Sequence, residues 1–208
     1  PGEFLPMVSE SRFEIELGNW VLATAVAQLD SWCQAGFATP MSVNISARHL
    51  LHPDFVPHLK AVLDAHSRVD ASLLQLEVLE TATLGDLKRI AAIMEECNSL
   101  GVSFAIDDFG IGYGAVNSLR SLPVRSIKID RSFIHNMLTD DDDLATVQGV
   151  IGLATAFHRE VIAEGVETFG HCQALLKLGC HQVQGHGIAH PMSAARMQVW
   201  MQEHAHRH

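Results

Sequence analysis

The stretch FAIDDFG, residues 104–110, ends an apolar run with two adjacent carboxylates, Asp107 and Asp108. A buried aspartate without a partner is costly, and a second like charge beside it raises the cost. Polar residues close other apolar runs in the same way: Asn44 after MSV, Glu77 and Glu80 in LEVLE, Lys128 and Asp130 in IKID, Glu164 and Glu167 in AEGVE, and Gln184 in VQG. If these ends meet, seven carboxylates crowd one opening, which is tolerable only with cations or shifted protonation. Carboxylate and amide oxygens suit hard divalent ions such as Mg²⁺ or Mn²⁺, and no histidine except His186 lies near a strand end with zinc-like spacing. A pair of such ions sharing an aspartate would polarise a phosphodiester and generate hydroxide. Lys128 could then orient that nucleophile and Glu164 take its proton.

The elements that must position these residues follow from hydrophobic periodicity. Short runs rich in Val, Ile, Phe and Leu predict strands over 41–46, 73–80, 102–109, 125–130, 160–166 and 181–186. Between them lie helical patterns. One carries Leu17, Val21, Ala25, Leu29 and Trp32 and stops at Gly36; another carries Leu87, Ile90, Met94 and Cys97 and stops at Gly101; a third carries Leu144, Val147, Ile151, Ala154 and Phe157. Strands alternating with helices predict right-handed crossovers and a parallel α/β sheet, open or closed. No GxGxxG opens a helix after the first strand, so a dinucleotide fold is disfavoured. A barrel would bring every strand end to one mouth, where such folds keep their chemistry. Eight units take about 250 residues, so six within 208 residues predict a barrel lacking one or two strands on the N-terminal side.

Side-chain direction sharpens the set. Lys128 and Asp130 share a face, because strand residues two apart do. Adjacent Asp107 and Asp108 both reach the mouth only where the strand ends, and Glu80, an odd step from Glu77, falls just past its strand. Several residues also have plainer readings. Asp130 precedes Arg131 and fits a cap or an ion pair, Glu167 fits a loop carboxylate, and Asn44 fits the start of a turn. TDDDD (139–143) reads as the solvated N-terminus of a helix, because it lacks EF-hand spacing. Trp20, Trp32 and Trp200 read as packing residues, and the terminal EHAHRH as a polar tail.

The totals exclude other classes. A net charge of −10 and a pI near 5.6 leave no basic footprint for DNA, RNA or an anionic membrane. No apolar run approaches the ~18 residues of a membrane span. Cys33, Cys97, Cys172 and Cys180 have no CxxC spacing, so they read as thiols in a reducing compartment.

Taken in order, PGEFLP, VNISARHL, LEVLET, AIDDFGIGYG, LPVRSIKIDRSFI, VIAEGVET and LGCHQVQGHGIAHPM resemble the EAL-domain family, phosphodiesterases that open cyclic di-GMP to linear pGpG. The resemblance spans 1–193 as a partial EAL domain, with 194–208 left as a C-terminal helix and His-rich tail. It implies a modified TIM barrel with one antiparallel strand and two Mg²⁺ or Mn²⁺ ions at its mouth. Asn44, Glu77, Asp107 and Asp108 match metal ligands, Lys128 the lysine that positions the attacking water, and Glu164 the general base. Glu80 matches the glutamate that anchors the loop after the family's fifth strand; Glu167 and Gln184 match further polar positions of the site.

The same resemblance implies a cytoplasmic bacterial signalling protein, a homodimer, and an upstream diguanylate cyclase-like or sensor domain. It also exposes departures. The Glu-Ala-Leu stretch and the first strand and helix are expected to lie upstream of residue 1. Leu79 and Ile111 stand where the family has threonines, and Gly114-Ala115 where it has a serine pair. The alternative to an enzyme is therefore a degenerate domain that senses cyclic di-GMP or serves in dimerisation and regulation.

Overall fold

In the computed structural model, which describes residues 7, 11–81, 86–111 and 114–204, six parallel strands form one curled sheet in sequence order. The order is α1 (Arg12–Gln34), β1 (Met41–Asn44), α2 (Ala47–Leu50), α3 (Phe55–Ala65), β2 (Leu74–Leu79), α4 (Leu87–Ser99), β3 (Ser103–Phe109), α5 (Ala115–Ser121), β4 (Ser126–Ile129), α6 (Arg131–Asn136), α7 (Asp141–Ala156), β5 (Glu160–Glu164), α8 (Phe169–Lys177), β6 (Gln182–Gln184) and α9 (Ala194–His204). This is the (β/α) barrel architecture expected, present as an open half-barrel. Every described pairing is parallel, so the antiparallel strand implied by the resemblance is not among the described residues. PGEFLP, Gly112-Tyr113 and the end of the tail lie outside them. No described helix is long and apolar enough to cross a membrane.

The register explains how one sequence serves two surfaces. Leu74, Leu76 and Val78 line up with Phe104 and Ile106, which line up with Ile127 and, past a shift, Ile129; Val43 and Ala163 extend the same face. All of these are buried, and they meet a helical layer that includes Leu22, Val26, Leu29, Leu59, Ile90, Met94, Val147 and Ala154. Burying a side chain of this size contributes roughly 1.5–3 kcal/mol, so this outer face holds the sheet to its helices. The other face carries Asn44, Glu77, Asp107, Lys128, Glu164 and Gln184; all but Glu164, which follows Ile162, have a further polar or small residue two back on the same strand. The strands thus alternate, with one side wholly apolar and the other mostly polar, Leu79 and Ile162 being its large apolar members.

The helix ends match the sequence signals. Gly36 and Gly101 take positive φ just past α1 and α4. Asp140 caps α7 by accepting from the Asp142 and Asp143 amides, which confirms TDDDD as a helix start. Trp20 corrects the packing reading: it is 64% exposed, whereas Trp32 is buried in the core. Trp20 lies on the outer side of α1, and the helical period was satisfied without it.

One close approach fixes α1. A Cβ on Gly18 would lie 2.3 Å from His49 Nδ1, so only glycine lets the helix rest on that imidazole. His49 is 1% exposed, and its Nε2–H donates to Asn19 Oδ1 at 2.8 Å. Its Nδ1 has no hydrogen-bond partner, which suits a neutral ring. Burial first, then the neighbouring His58 and His52, push its pKa down to about 4.

Candidate active site at the C-terminal ends of the strands

Asp107 and Asp108 reach the mouth together by a device the strand pattern did not reveal. The β3–β4 ladder pairs Ile106 with Ile127 and next pairs Phe109 with Ile129. Two residues of β3, Asp107 and Asp108, therefore stand opposite one residue of β4, Lys128. This is a β-bulge, which is rare between parallel strands and re-aims side chains beside functional sites. Asp108 takes φ 52°, a left-handed conformation that aspartate enters more readily than most residues. The expectation that the strand must be ending is corrected: β3 continues to Phe109, which returns to the apolar face fully buried.

Lys128 occupies the centre of the site. Its ammonium lies 2.5 Å from Glu164 Oε1, 2.7 Å from Glu77 Oε2 and 3.5 Å from Asp107 Oδ1, and the residue is 3% exposed. Burial disfavours its charge, but the hydrogen bonds to Glu164 and Glu77 outweigh this and hold its pKa above the usual lysine value. Burial raises the Glu164 pKa, with Lys128 opposing the shift. Asp108 is pushed up to about 6 by burial, by the charge of Asp107 and by a hydrogen bond with Asp130. Lys128 therefore meets three acids, with Asp108 beside them, and among the described residues this cluster carries surplus negative charge.

Asp107, Asp108 and Glu164 each offer a carboxylate oxygen within 4.8 Å of the others. All the donors are hard oxygens, so the trio fits a divalent ion of the Mg²⁺ or Mn²⁺ type. Glu77 is held against Lys128 below them. Asn44, exposed at the end of β1, stands beside Glu77 in the ladder.

The outer residues fall where their plainer readings put them. Glu80 sits just past β2, 1% exposed, and accepts the Gly110 amide at 3.0 Å; it holds the turn after the aspartates. Asp130 caps α6, accepting from the Ser132 amide at 2.8 Å and from its hydroxyl, while also contacting Asp108. Those bonds to Ser132, together with the one to Asp108, lower its pKa against the effect of burial. Glu167 lies 3.6 Å from His135 on the rim, and Gln184 ends β6 beside Glu164. His186 pairs its ring with His190 at 4.6 Å and belongs to no cluster of three metal-ligating side chains among the described residues. Leu79 and Ile111, 44% and 55% exposed, put apolar surface near the acids.

Sequence reasoning missed two polar features: the buried His49, and a hydrogen-bonded layer beneath Lys128. Gln75 Nε2 donates to Ser126 Oγ at 3.0 Å, and Ser42 Oγ donates to Gln75 Oε1 at 3.3 Å. The signal that could have found the layer is the two-residue spacing of Ser42 from Asn44, Gln75 from Glu77 and Ser126 from Lys128.

Comparison with known proteins agrees with this geometry. The model of the EAL domain family matches residues 1–191. The chain is 36% identical over 198 residues to the bifunctional diguanylate cyclase/cyclic di-GMP phosphodiesterase MucR of Pseudomonas aeruginosa, covering 95% of the chain and 29% of MucR. It is 32% identical over 201 residues to a second cyclic di-GMP phosphodiesterase of that organism, covering 97% of the chain and 34% of the relative. The chain thus spans about a third of the length of these relatives. Among solved structures, the MucR phosphodiesterase in complex with c-di-GMP superposes with a TM-score of 0.90 at 36% identity, over 95% of this chain and 80% of that one. An EAL enzyme with cAMP and cyclic di-GMP bound gives 0.90 at 31%, over 97% and 55%.

Proposed function

The chain belongs to the EAL domain family, and on that premise we propose that it binds cyclic di-GMP at the mouth of its half-barrel and hydrolyses it to linear pGpG with divalent cations. The observation that carries this reading is the buried Lys128 held between Glu77, Asp107 and Glu164, directly beside the Asp107–Asp108–Glu164 oxygen cluster. Asp107 and Asp108 would hold the ion, with Glu164 beside it and Asn44 and Glu77 at hand for a second. Bound Mg²⁺ or Mn²⁺ would offset the surplus acid charge and lower the pKa of water at the mouth.

The residues then divide the work. Lys128 directs the attacking oxygen toward phosphorus, since its ammonium is fixed by three acids and has little freedom to move. Glu164, whose affinity for a proton is raised by burial, accepts the proton that the water gives up. The new phosphorus–oxygen bond forms as the bond to the 3′ oxygen breaks, and that oxygen leaves with a proton; the phosphate stays on the 5′ side, which is what makes the product pGpG. Glu80 and Asp130 keep the turn after β3 and the start of α6 in place. Glu167 and Gln184 line the rim where the nucleotide enters. The four free thiols fit the reducing cytoplasm in which this reading places the site, with a cyclase-like or sensory region and a second copy as its partners.

A receptor is the second reading, favoured by the exposed Leu79 and Ile111 at positions where the family carries hydroxyls. One assay separates the two. Incubation with cyclic di-GMP and Mg²⁺ or Mn²⁺ is expected to release pGpG. Tight binding without release would select the receptor; neither binding nor release would leave only a scaffold.

A further inference from the structure

Two side-chain bridges cross the inner face from β2 to β4, passing over β3. The upper one is Lys128 to Glu77 at 2.7 Å, and the lower is Gln75 to Ser126 at 3.0 Å; each joins residues 51 apart in the chain. The two are therefore the same rung repeated one step along a parallel pair, because advancing two residues on each strand keeps the same face and offset. Strands two places apart lie roughly 9–10 Å from each other, a span that a glutamine or lysine covers only with the intervening face clear. Ala105 provides that clearance: it is fully buried, in register with both Glu77 and Ser126, and ends at its Cβ.

We infer that the Gln75–Ser126 hydrogen bond is a strut that sets the β2-to-β4 spacing on which the Lys128–Glu77 contact depends, making Gln75 and Ser126 positioning residues for Lys128. Ser126 is fully buried, so its hydroxyl depends on the Gln75 amide for its hydrogen bond, and an unmade bond there is penalised. Gln75 is held in turn from β1 by Ser42. The strut is neutral and does not compete with the acids above it. It acts on geometry alone, and misplacement of a catalytic group by about 1 Å can cost on the order of 100-fold in rate.

The inference rests on the proposed hydrolysis only for its kinetic readout, so it is tested in two ways. Ser126→Ala and Gln75→Leu are compared with Ile90→Val, which loses a buried methylene on α4 well outside the mouth and serves as a control for lost stability. The first readout is the rate at which an amine-acylating reagent modifies Lys128, followed by mass spectrometry against the exposed Lys60, Lys88 and Lys177. Loss of the strut should speed Lys128 modification at least about five-fold over the control; equal rates overturn the inference. The second is turnover of cyclic di-GMP. A fall in kcat of about ten-fold with KM within about two-fold is expected, with the double variant no worse than the weaker single variant, whereas a kcat matching Ile90→Val overturns it. If the unsubstituted protein releases no pGpG, the hydrolysis reading fails by itself and Lys128 modification alone decides on the strut.

Discussion

Two layers of the same inner face, one step apart along each strand, are built from different chemistry. The layer at the mouth holds Glu77, Asp107, Lys128 and Glu164, with an ammonium buried among three acids. The layer beneath holds Ser42, Gln75 and Ser126, joined by neutral hydrogen bonds at 3.0 and 3.3 Å. The two layers share β2 and β4 and obey the same alternation, so on those strands the backbone does not distinguish them. The contrast lies in what each layer does with its polarity. Neutral groups that satisfy one another fix distances at little electrostatic cost. Charges in surplus leave the mouth in need of a ligand.

That contrast is broken most severely at the acids. Asp107→Ala should abolish metal-dependent pGpG release, and calorimetric titration with Mn²⁺ should show the loss of ion binding; retained turnover would defeat the assignment of Asp107 as a ligand. Next comes Lys128→Ala, expected to lower kcat by about 100-fold or more while cyclic di-GMP affinity changes little. An equal loss in both would reduce the lysine to a grip on the substrate. The same variant leaves the buried Glu77 and Asp107 and the partly buried Glu164 without their cation, so urea unfolding in chelator should show a loss of about 3–5 kcal/mol.

His49 tests a buried polar group remote from both layers. Its folded pKa of about 4 lies below the ordinary 6.5, so the unfolded chain takes up the proton first as pH falls. Its contribution is fully present above about pH 6.5 and is lost between there and about pH 4, with a slope of at most about 1.4 kcal/mol per pH unit. His49→Gln keeps a donor for Asn19 and should flatten that part of the stability profile, read as urea midpoints at pH 7.5 and 5.0. The smallest effect is expected from Ser42→Ala, which cuts the outermost link of the lower layer: about 0.5–1 kcal/mol in stability and less than two-fold in kcat. A larger kinetic effect would show that the neutral layer transmits more than spacing.

The alternation of short apolar runs with helical patterns made the parallel sheet legible, because period and length separate strands from helices at a glance. Most of the polar residues that meet at the mouth were equally plain, since a polar residue at the end of an apolar run is conspicuous. What escaped has physical reasons. A bulge leaves no mark on composition, so the pairing of Asp107 and Asp108 against Lys128 appears only in the ladder. Gln75 and Ser126 look like tolerable interruptions of a hydrophobic strand until their faces are known. Trp20 escapes the packing reading because a tryptophan in a helical segment says nothing of which side it faces, and Trp20 lies off the buried side of its helix.

The bulge has a consequence for how fold and catalysis are joined. Were residue 108 simply deleted, the aromatic ring after it would fall at the next even step along β3, on the same apolar side it already occupies, opposite the same isoleucine. The second aspartate is thus an insertion that the architecture accommodates but does not require. At this one residue the protein could lose a carboxylate of the proposed ion site and keep its shape, which would be a short path from an enzyme to a protein that only binds.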